Sequence, residues 1–546
     1  MTGSRKISKS PTTMATAGKD GQSGTALSGS CGSSEAIELQ AVPLIVAVLR
    51  YPPLAKEFPL HRAVRAAAVL APLLTVTLSP APASATAPFK GANTAAVQDD
   101  FNGDGYRDLV VGAPRAANGS VEEAGAVVVL YGAASSVSTT RRAVITQATP
   151  GIPGDPEQWD AFGTAVASAD LDRDGYADLL VGTPEETVGD KESRGSVTVV
   201  WGGPGGLQGG ATVSPPAGYG DGMTYCGFGM SLATGDMDGD SVPEVAIGSR
   251  CEGAAYSGLF TRTGKAASSY REWRTGEARG VVMGDVNGDG TAERFWMAGP
   301  TDGDLRGPVH EESSGGELVK LTNADGHAGQ IGDINGDGYG DLVTGIADDD
   351  FRMNETGAAH RGGEIQVLYG SAHGITVGQR PKVFHQATAG VPGTAEDGDQ
   401  FGQSLSVGDV NADGYADVLV GSPSEAVGTR LYAGTAVLLR GSATGLTTAR
   451  AAGYTQDTAS VPGSAESGDQ FGAAVHLTDL NKDGKAETVV GVPGENTDGC
   501  VWIARGSASG PVLSGSVNLC GKSAGITVRD TQGYFGAALT SPHTSS

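Results

Sequence analysis

Seven short segments of this sequence place oxygen-bearing side chains at alternate positions of a glycine-containing stretch, an arrangement suited to binding a hard cation. The first segment covers residues 100–108 and reads DFNGDGYRD. Positions one, three, five and nine are Asp, Asn or Glu in every copy, and position six is Gly in all copies but the third, which has Ser241. A sharp turn with positive φ at position six would direct alternate oxygens to one centre. The pattern predicts up to seven Ca²⁺ ions, because calcium accepts about six to eight oxygen ligands in a flexible shell.

The predicted ligands are the side chains of positions one, three, five and nine and the backbone carbonyl of position seven, whose side chain would be free to vary. They are Asp100, Asn102, Asp104, Tyr106 and Asp108; Asp170, Asp172, Asp174, Tyr176 and Asp178; Asp236, Asp238, Asp240, Val242 and Glu244; Asp285, Asn287, Asp289, Thr291 and Glu293; Asp333, Asn335, Asp337, Tyr339 and Asp341; Asp409, Asn411, Asp413, Tyr415 and Asp417; and Asp479, Asn481, Asp483, Lys485 and Glu487.

The segment after each loop separates this pattern from an EF-hand pair or a dockerin. Short apolar runs ended by glycine, such as 109–112 and 418–421, come directly after the ninth position. Such runs predict buried strands in place of the helices of an EF-hand. No copy has the bidentate Glu at position twelve that a full EF-hand uses. We therefore expect calcium loops inside a β-fold, with calcium favoured over magnesium.

Further elements recur at fixed distances from the loops and define a repeat unit. Phe-Gly pairs begin eight residues before the first aspartate of four loops, and glycine-led apolar runs such as 125–132 and 434–441 occur further on. One unit therefore reads strand, metal loop, strand, hairpin and strand. A fourth strand is expected in spans such as 381–387 and 451–455.

A Gly-Ala-Pro triplet at 112–114, with related triplets at 182–184, 421–423 and 491–493, completes the unit. Phe-Gly, calcium loop and Gly-Ala-Pro together resemble the FG-GAP repeat of the integrin α-chain head, and the resemblance covers nearly all of residues 86–546. It implies an all-β fold, a seven-bladed β-propeller of FG-GAP repeats with calcium-binding loops on one face. The first loop aspartates lie 48 to 76 residues apart, enough for seven four-stranded blades.

Two departures from the repeat are visible. The longer units carry an insertion with a Pro-Gly motif at 153–154, 392–393 and 462–463, and insertions at one point of a repeat map to loops on one face, often the binding face. Blades four and five lack Phe-Gly, with Glu277-Ala278 and Asp325-Gly326 in its place. Their metal ligands remain, so calcium is expected there as well.

Charge and the N-terminal region indicate export. The formal net charge is −25, which argues against nucleic acid as a partner, since its binding requires a basic face. Residues 61–85 contain the basic, apolar and small-residue zones of a signal peptide, and the run is too short for a membrane span. Residues 1–60 would be either an unusually long disordered leader or the product of a start placed too far upstream. We expect a secreted protein without a membrane anchor.

The cysteines and the chain ends give two further expectations. Of the three pairings open to the four cysteines after residue 85, the local one joins Cys226 to Cys251 and Cys500 to Cys520, as suits an oxidising compartment. The first loop has no Phe-Gly before it, whereas Phe535-Gly536 has no loop after it. We expect this terminal segment to close the ring against blade one.

Three functions are consistent with these features. The resemblance favours a binding or adhesion module for an extracellular protein or surface glycan, with calcium mainly structural. A lectin-like carbohydrate binder would show exposed aromatics in equivalent loops, whereas Trp159 and Trp201 form no regular set. A secreted hydrolase is less favoured, since no nucleophile elbow, P-loop or zinc motif is present. Some relatives join such a propeller to a lipase or phosphodiesterase domain, but here the propeller accounts for residues 86–546. We therefore expect no enzymatic activity.

Overall fold

The computed structural model describes residues 96–298, 307–348, 361–529 and 533–540. Within them the chain forms seven four-stranded antiparallel sheets. The innermost strands of all seven sheets line one central cavity of about 290 Å³. The protein is therefore an all-β, seven-bladed propeller, as the sequence predicts. The predicted leader and signal peptide lie outside the described residues.

The first four blades follow the chain from the innermost to the outermost strand, except that the last strand of the chain is innermost in blade one. Blade one contains β1 (Leu109–Ala113), β2 (Ala126–Ala133) and β3 (Ser136–Ile145); blade two β4 (Ala165–Ala169), β5 (Asp178–Thr183), β6 (Ser196–Trp201) and β7 (Gln208–Thr212); blade three β8 (Ser231–Gly235), β9 (Glu244–Gly248), β10 (Gly253–Ser257) and β11 (Ser268–Glu272); blade four β12 (Gly280–Gly284), β13 (Glu293–Met297), β14 (Gly307–Glu312) and β15 (Leu318–Gly326).

The remaining blades repeat this order, and two short helical turns come after strands of blade seven. Blade five contains β16 (Ala328–Gly332), β17 (Asp341–Ile346), β18 (Glu364–Leu368) and β19 (Lys382–Phe384); blade six β20 (Ser404–Gly408), β21 (Asp417–Ser422), β22 (Thr435–Arg440) and β23 (Thr447–Tyr454); blade seven β24 (Val475–Thr478), β25 (Glu487–Val492), β26 (Cys500–Arg505) and β27 (Val512–Cys520); a 3₁₀ turn covers Glu495–Thr497, α1 covers Gly521–Ala524, and β28 (Ala538–Leu539) returns to blade one.

The position of each strand explains its composition. The second strands β1, β5, β17, β21 and β25 are buried along their whole length, which requires the uninterrupted apolar runs seen after each loop. Outer strands such as β3 and β23 are mostly half-buried or exposed, with buried residues only at their ends. In blades two to seven each predicted metal loop joins the first strand to the second, and in blade one the loop leads directly into the second strand β1. All seven loops therefore lie on one side of the propeller, here the metal face. The segments before each Phe-Gly pair and those between second and third strands lie on the other side, here the entry face.

The Phe-Gly and Gly-Ala-Pro motifs meet between neighbouring blades. The Phe162 amide donates a hydrogen bond to the Ala124 carbonyl of the preceding blade at 3.0 Å, and its ring is fully buried. A Cβ on Gly182 would collide with the carbonyl oxygen of Gly229 in the next blade. A Cβ on Gly421 would likewise collide with the carbonyl oxygen of Gly472 in the following blade. These glycines are therefore required by close backbone approach between blades.

Ring closure agrees with the prediction. Strand β28 pairs antiparallel with β1, with Val111 opposite Leu539. The Phe535 side chain is fully buried in a core cluster shared by blades seven and one. The terminal Phe-Gly therefore begins the innermost strand of blade one.

The predicted disulfides Cys226–Cys251 and Cys500–Cys520 are both present. The first joins the segment entering blade three to the segment after β9, and the second joins β26 to β27 within blade seven. No helix in the described part of the chain has the length and apolar character needed to cross a membrane.

Candidate metal centres

The seven loops share one hydrogen-bond pattern centred on the first aspartate. In the first loop the Gly105 amide donates to Asp100 Oδ2 at 2.7 Å. The same bond, from position six to position one, occurs in the other six loops at 2.8–3.0 Å. The backbone therefore wraps around the first carboxylate in every copy.

Positions five and nine are held in the same way. The amide of position seven donates to the position-five carboxylate in all seven loops, at 2.7–3.2 Å. The amide of position two donates to the position-nine carboxylate, at 2.7–3.4 Å. Each bond occupies one lone pair of an oxygen that has two. Except where a second donor contacts the same oxygen, as at Asp108 and Asp417, the remaining lone pair is available to a cation.

The ninth position carries a buried carboxylate in every loop. Asp178, Asp341, Asp417 and Glu487 have no exposed surface, and Asp108 has almost none. Burial raises the pKa of Asp108 to about 8 and that of Glu487 to about 7. A buried carboxylate is costly to ionise unless a positive charge lies beside it. A divalent cation in the loop would supply that charge.

The donor set fits such a cation. Asp170, Asp172 and Asp174 bring ligand oxygens within 4.8 Å of one another, and Asp236, Asp238 and Glu244 do the same. Asp172 Oδ1, Glu244 Oε1 and Asn411 Oδ1 are buried without a hydrogen-bond partner. Unpaired buried oxygens are rare in folded proteins, and these three lie where a cation would sit.

Loops three and four keep the geometry of the others, although loop three has Ser241 at position six and blade four lacks Phe-Gly. In loop three, Ser241 adopts φ of 65° and its amide still donates to Asp236 Oδ2 at 2.8 Å. In loop four, Glu293 Oε1 accepts a bond from Asn287 Nδ2 at 2.5 Å. A serine thus takes the left-handed conformation that glycine provides elsewhere.

Arginines contact several predicted ligands, a feature that the sequence pattern does not reveal. Arg262 lies 2.5 Å from Asp172 and 2.6 Å from Asp174. Arg440 Nη1 lies 2.8 Å from Asp417 Oδ2, and both side chains are largely buried. These guanidinium groups would compete with a cation or share its carboxylates.

The side chain at position seven also has a role that the sequence analysis missed. Tyr176 lies against Gly103 of the preceding loop, and Tyr339 and Tyr415 lie against the equivalent glycines of their preceding loops. Between the last loop and the first, Lys482 lies 5.5 Å from the ring centre of Tyr106. Neighbouring loops are therefore in direct contact. The predicted freedom of this position applies to metal binding but not to loop packing.

Buried amide–carboxylate pairs cross three blade boundaries on the entry face. Gln147 donates to Glu186 at 2.7 Å, and Gln386 to Glu425 and Gln456 to Glu495 at 2.5 Å. Each glutamine lies just after the outer strand of one blade, and each glutamate just after the second strand of the next. The repeated insertions therefore tie neighbouring blades together.

Two histidines have surroundings that could not be predicted from the sequence. His327 lines the central cavity together with Arg279, and its Nε2 lies 3.2 Å from the Gln403 carbonyl. His476 is fully buried with neither ring nitrogen hydrogen-bonded. Burial lowers its pKa to about 3.

Comparisons with known proteins agree with the repeat. The model of the FG-GAP repeat matches residues 92–130, 162–200, 401–439 and 471–504. The chain is 33% identical to Xenopus laevis integrin alpha-5 over 155 residues, 27% of this chain and 14% of that protein. It is 28% identical to Bos taurus phosphatidylinositol-glycan-specific phospholipase D over 423 residues, 75% of this chain and 44% of that protein. The chain thus spans less than half the length of this relative. The solved exotype rhamnogalacturonan lyase YesX matches with a TM-score of 0.41 and 15% identity, covering 83% of this chain and 78% of that one.

The prediction that this chain is not an enzyme is wrong. It rested on missing catalytic motifs and on the propeller filling residues 86–546. Yet the similarity that runs through 75% of the chain is to a protein named as a phospholipase. Short motifs do not reveal groups that a fold brings together from distant strands, such as Arg279 and His327 in the central cavity.

Proposed function

Because the chain carries FG-GAP repeats and folds as an integrin-like propeller, we propose that it is a calcium-stabilised binding module of the cell exterior. The observation that supports this most directly is the structural difference between its two faces. The metal face repeats one oxygen-rich loop seven times, whereas the entry face differs from blade to blade. A rigid scaffold with variable loops on one face is the usual design of a binding protein.

Calcium at the metal face is proposed to be structural. In blades two to seven each loop connects the first and second strands, and its buried ninth residue begins the second strand. A cation there would hold these two strands together and neutralise carboxylates that otherwise repel one another. The ligands would be those predicted from the sequence, up to seven ions in all.

The proposed location is extracellular. Two disulfides are present, and disulfides persist mainly in oxidising compartments. Integrin α-chains carry their propeller outside the cell, and this chain is similar to one of them. A signal peptide at residues 61–85 is part of the same proposal.

The binding proposal is tested on arrays of extracellular proteins and glycans. The chain beginning at residue 86 is applied in calcium and again after chelation. We expect a signal in calcium that weakens on chelation, with circular dichroism and melting recorded for both samples. Folded, calcium-loaded protein without signal on either array would overturn the binding role.

A second candidate, cleavage of phosphatidylinositol-glycans, is favoured by the similarity over 423 residues. In this chain, Arg279 could bind a phosphate and His327 could transfer a proton, since both line the central cavity. The test is release of a glycosylphosphatidylinositol-anchored reporter from vesicles. Activity in the parent that His327→Gln abolishes would support this candidate, and no release above a buffer blank would refute it.

A further inference from the structure

We propose that a groove on the entry face between blades one and two binds a neutral oligosaccharide, an inference that rests on the proposed binding function and names its ligand class. The groove has a volume of about 510 Å³ and lies between the segment after β1, the segment entering β4 and the segment after β5. Its walls include Arg115, Gln158, Trp159, Glu185, Thr187 and Glu192. We call it the Trp159 groove.

Trp159 is the principal feature of this groove. The residue is 56% exposed, although tryptophan normally buries most of its surface. Its backbone has φ of 77°, a region that bulky side chains avoid at a cost of roughly 1–3 kcal/mol. An exposed and strained aromatic contributes little to stability. Strain of this kind points to a functional constraint.

The other blades show what this backbone position prefers. Trp159 stands three residues before the Phe-Gly phenylalanine. At the same position in blades six and seven the chain has Gly398 and Gly468, with φ of 84° and 92°. Blade three has Tyr225, which is 53% exposed with φ of 59°. Two adjacent blades thus replace a favourable glycine by a solvent-facing aromatic ring, in equivalent loops of the kind expected for a lectin.

The polar walls match the hydroxyl groups of a sugar. Glu192 is held by the Tyr225 hydroxyl at 2.7 Å, and Glu185 by Arg250 at 2.6 Å. Fixed carboxylates accept hydrogen bonds from sugar hydroxyls, and an indole face stacks on the C–H side of a sugar ring. Glu123 also lines the groove, paired with Arg115 at 3.9 Å. The groove is lined by three carboxylates and one arginine, and this excess of negative charge disfavours uronic acids and acidic peptides.

Trp159→Gly gives a sharp test because it installs the residue found in blades six and seven. Binding to the calcium-loaded protein is measured by isothermal titration calorimetry with cellotriose, mannotriose, triacetylchitotriose and, as an anionic control, trigalacturonic acid. We expect at least one neutral trisaccharide to bind and trigalacturonic acid not to bind. The variant should bind at least about tenfold more weakly, while its melting temperature stays level or rises by about 1–3 °C.

Trp273→Ala is the matched control, since Trp273 is 67% exposed and does not line the groove. It should leave saccharide binding unchanged. Saccharide binding that persists in Trp159→Gly, or that fails equally in both variants, would overturn the site. Binding of array polypeptides without binding of any saccharide would overturn the ligand class while the binding function stands. Absence of any array signal would instead refute the binding function itself.

Discussion

The backbone amide of Gly536 donates a hydrogen bond to the carbonyl oxygen of Gly112 at 3.0 Å. This bond joins the last described segment of the chain to the first blade. Blades two, three, six and seven have the equivalent bond within continuous sequence, as between Gly163 and Gly182 at 3.0 Å. In blade one the two residues are more than four hundred positions apart. The ring therefore closes by contacts that form only after the whole propeller is present.

Removal of the closing segment should destabilise the whole propeller. A chain ending at Gly533 loses the buried Phe535 ring and the pairing of β28 with β1. We expect a loss of at least about 3–5 kcal/mol, the usual result of deleting a buried phenylalanine alone. Calorimetric melting measures it. A chain ending at Thr540 is the control and should melt like the parent; equal melting of both truncations would contradict closure by β28.

The close approach of neighbouring blades predicts that Gly182→Ala is harmful. The added methyl group would collide with the Gly229 carbonyl, and overpacking of this kind costs roughly 1–3 kcal/mol. Gly315→Ala is a suitable control, because the nearest atom to its Cβ would be Ser313 Oγ at 3.7 Å. Urea denaturation of both variants measures the difference. A stability of Gly182→Ala equal to that of Gly315→Ala would argue against tight blade packing as the reason for the motif.

The repeated elements could be predicted from sequence because each depends on local spacing. Loop ligands, Phe-Gly and the glycine-ended strands recur in register, and the local pairing of Cys500 with Cys520 needed only sequence proximity. Even the closure by Phe535 was predictable, since an unmatched motif at one end fits a gap at the other. Local residue patterns and their repetition were therefore sufficient to predict the fold.

Features that join distant segments could not be predicted in this way. Arg262 reaches Asp174 from 88 residues away, and Arg440 on β22 reaches Asp417 on the neighbouring strand β21. Trp159 looked isolated because its counterpart Tyr225 matches it only in backbone position, not in residue type. The prediction that the chain is not an enzyme was wrong for a related reason. Motif searches compare residues that are close in sequence and do not detect groups that are close only in space.

Calcium stabilisation should increase with pH. Burial raises the pKa of Glu293 and Glu487 to about 7 and that of Asp108 to about 8, against about 4 in an unfolded chain. In metal-free protein these groups therefore support folding below about pH 4, and this support is lost as the pH rises through 7 to 8. Calcium requires their ionised forms. We expect chelation to lower the melting temperature only slightly at pH 5 and strongly at pH 8.

Asp108→Asn is the control for this pH effect, since it removes one titrating carboxyl and keeps a similar shape. The difference in melting temperature between calcium-loaded and chelated protein should depend less on pH in this variant. A difference that is constant from pH 5 to pH 8 in the parent protein would show that the ninth-position carboxylates do not link protonation to metal binding.

The Arg440–Asp417 pair predicts a distinctive response of loop six to calcium. Arg440→Met keeps most of the side-chain volume but leaves Asp417 buried without its guanidinium partner. Breaking a buried ion pair costs about 3–5 kcal/mol, so the chelated variant should melt well below the chelated parent. A Ca²⁺ ion in loop six would supply the missing charge, and most of the loss should therefore be recovered in calcium.

Arg141→Met is the control. Arg141 lies 3.1 Å from Asp104 and is more than half exposed. Its replacement should change the stability of the chelated and of the calcium-loaded protein by less than about 1 kcal/mol. An Arg440→Met variant that calcium fails to rescue would mean that loop six holds no cation and that Arg440 permanently takes its place.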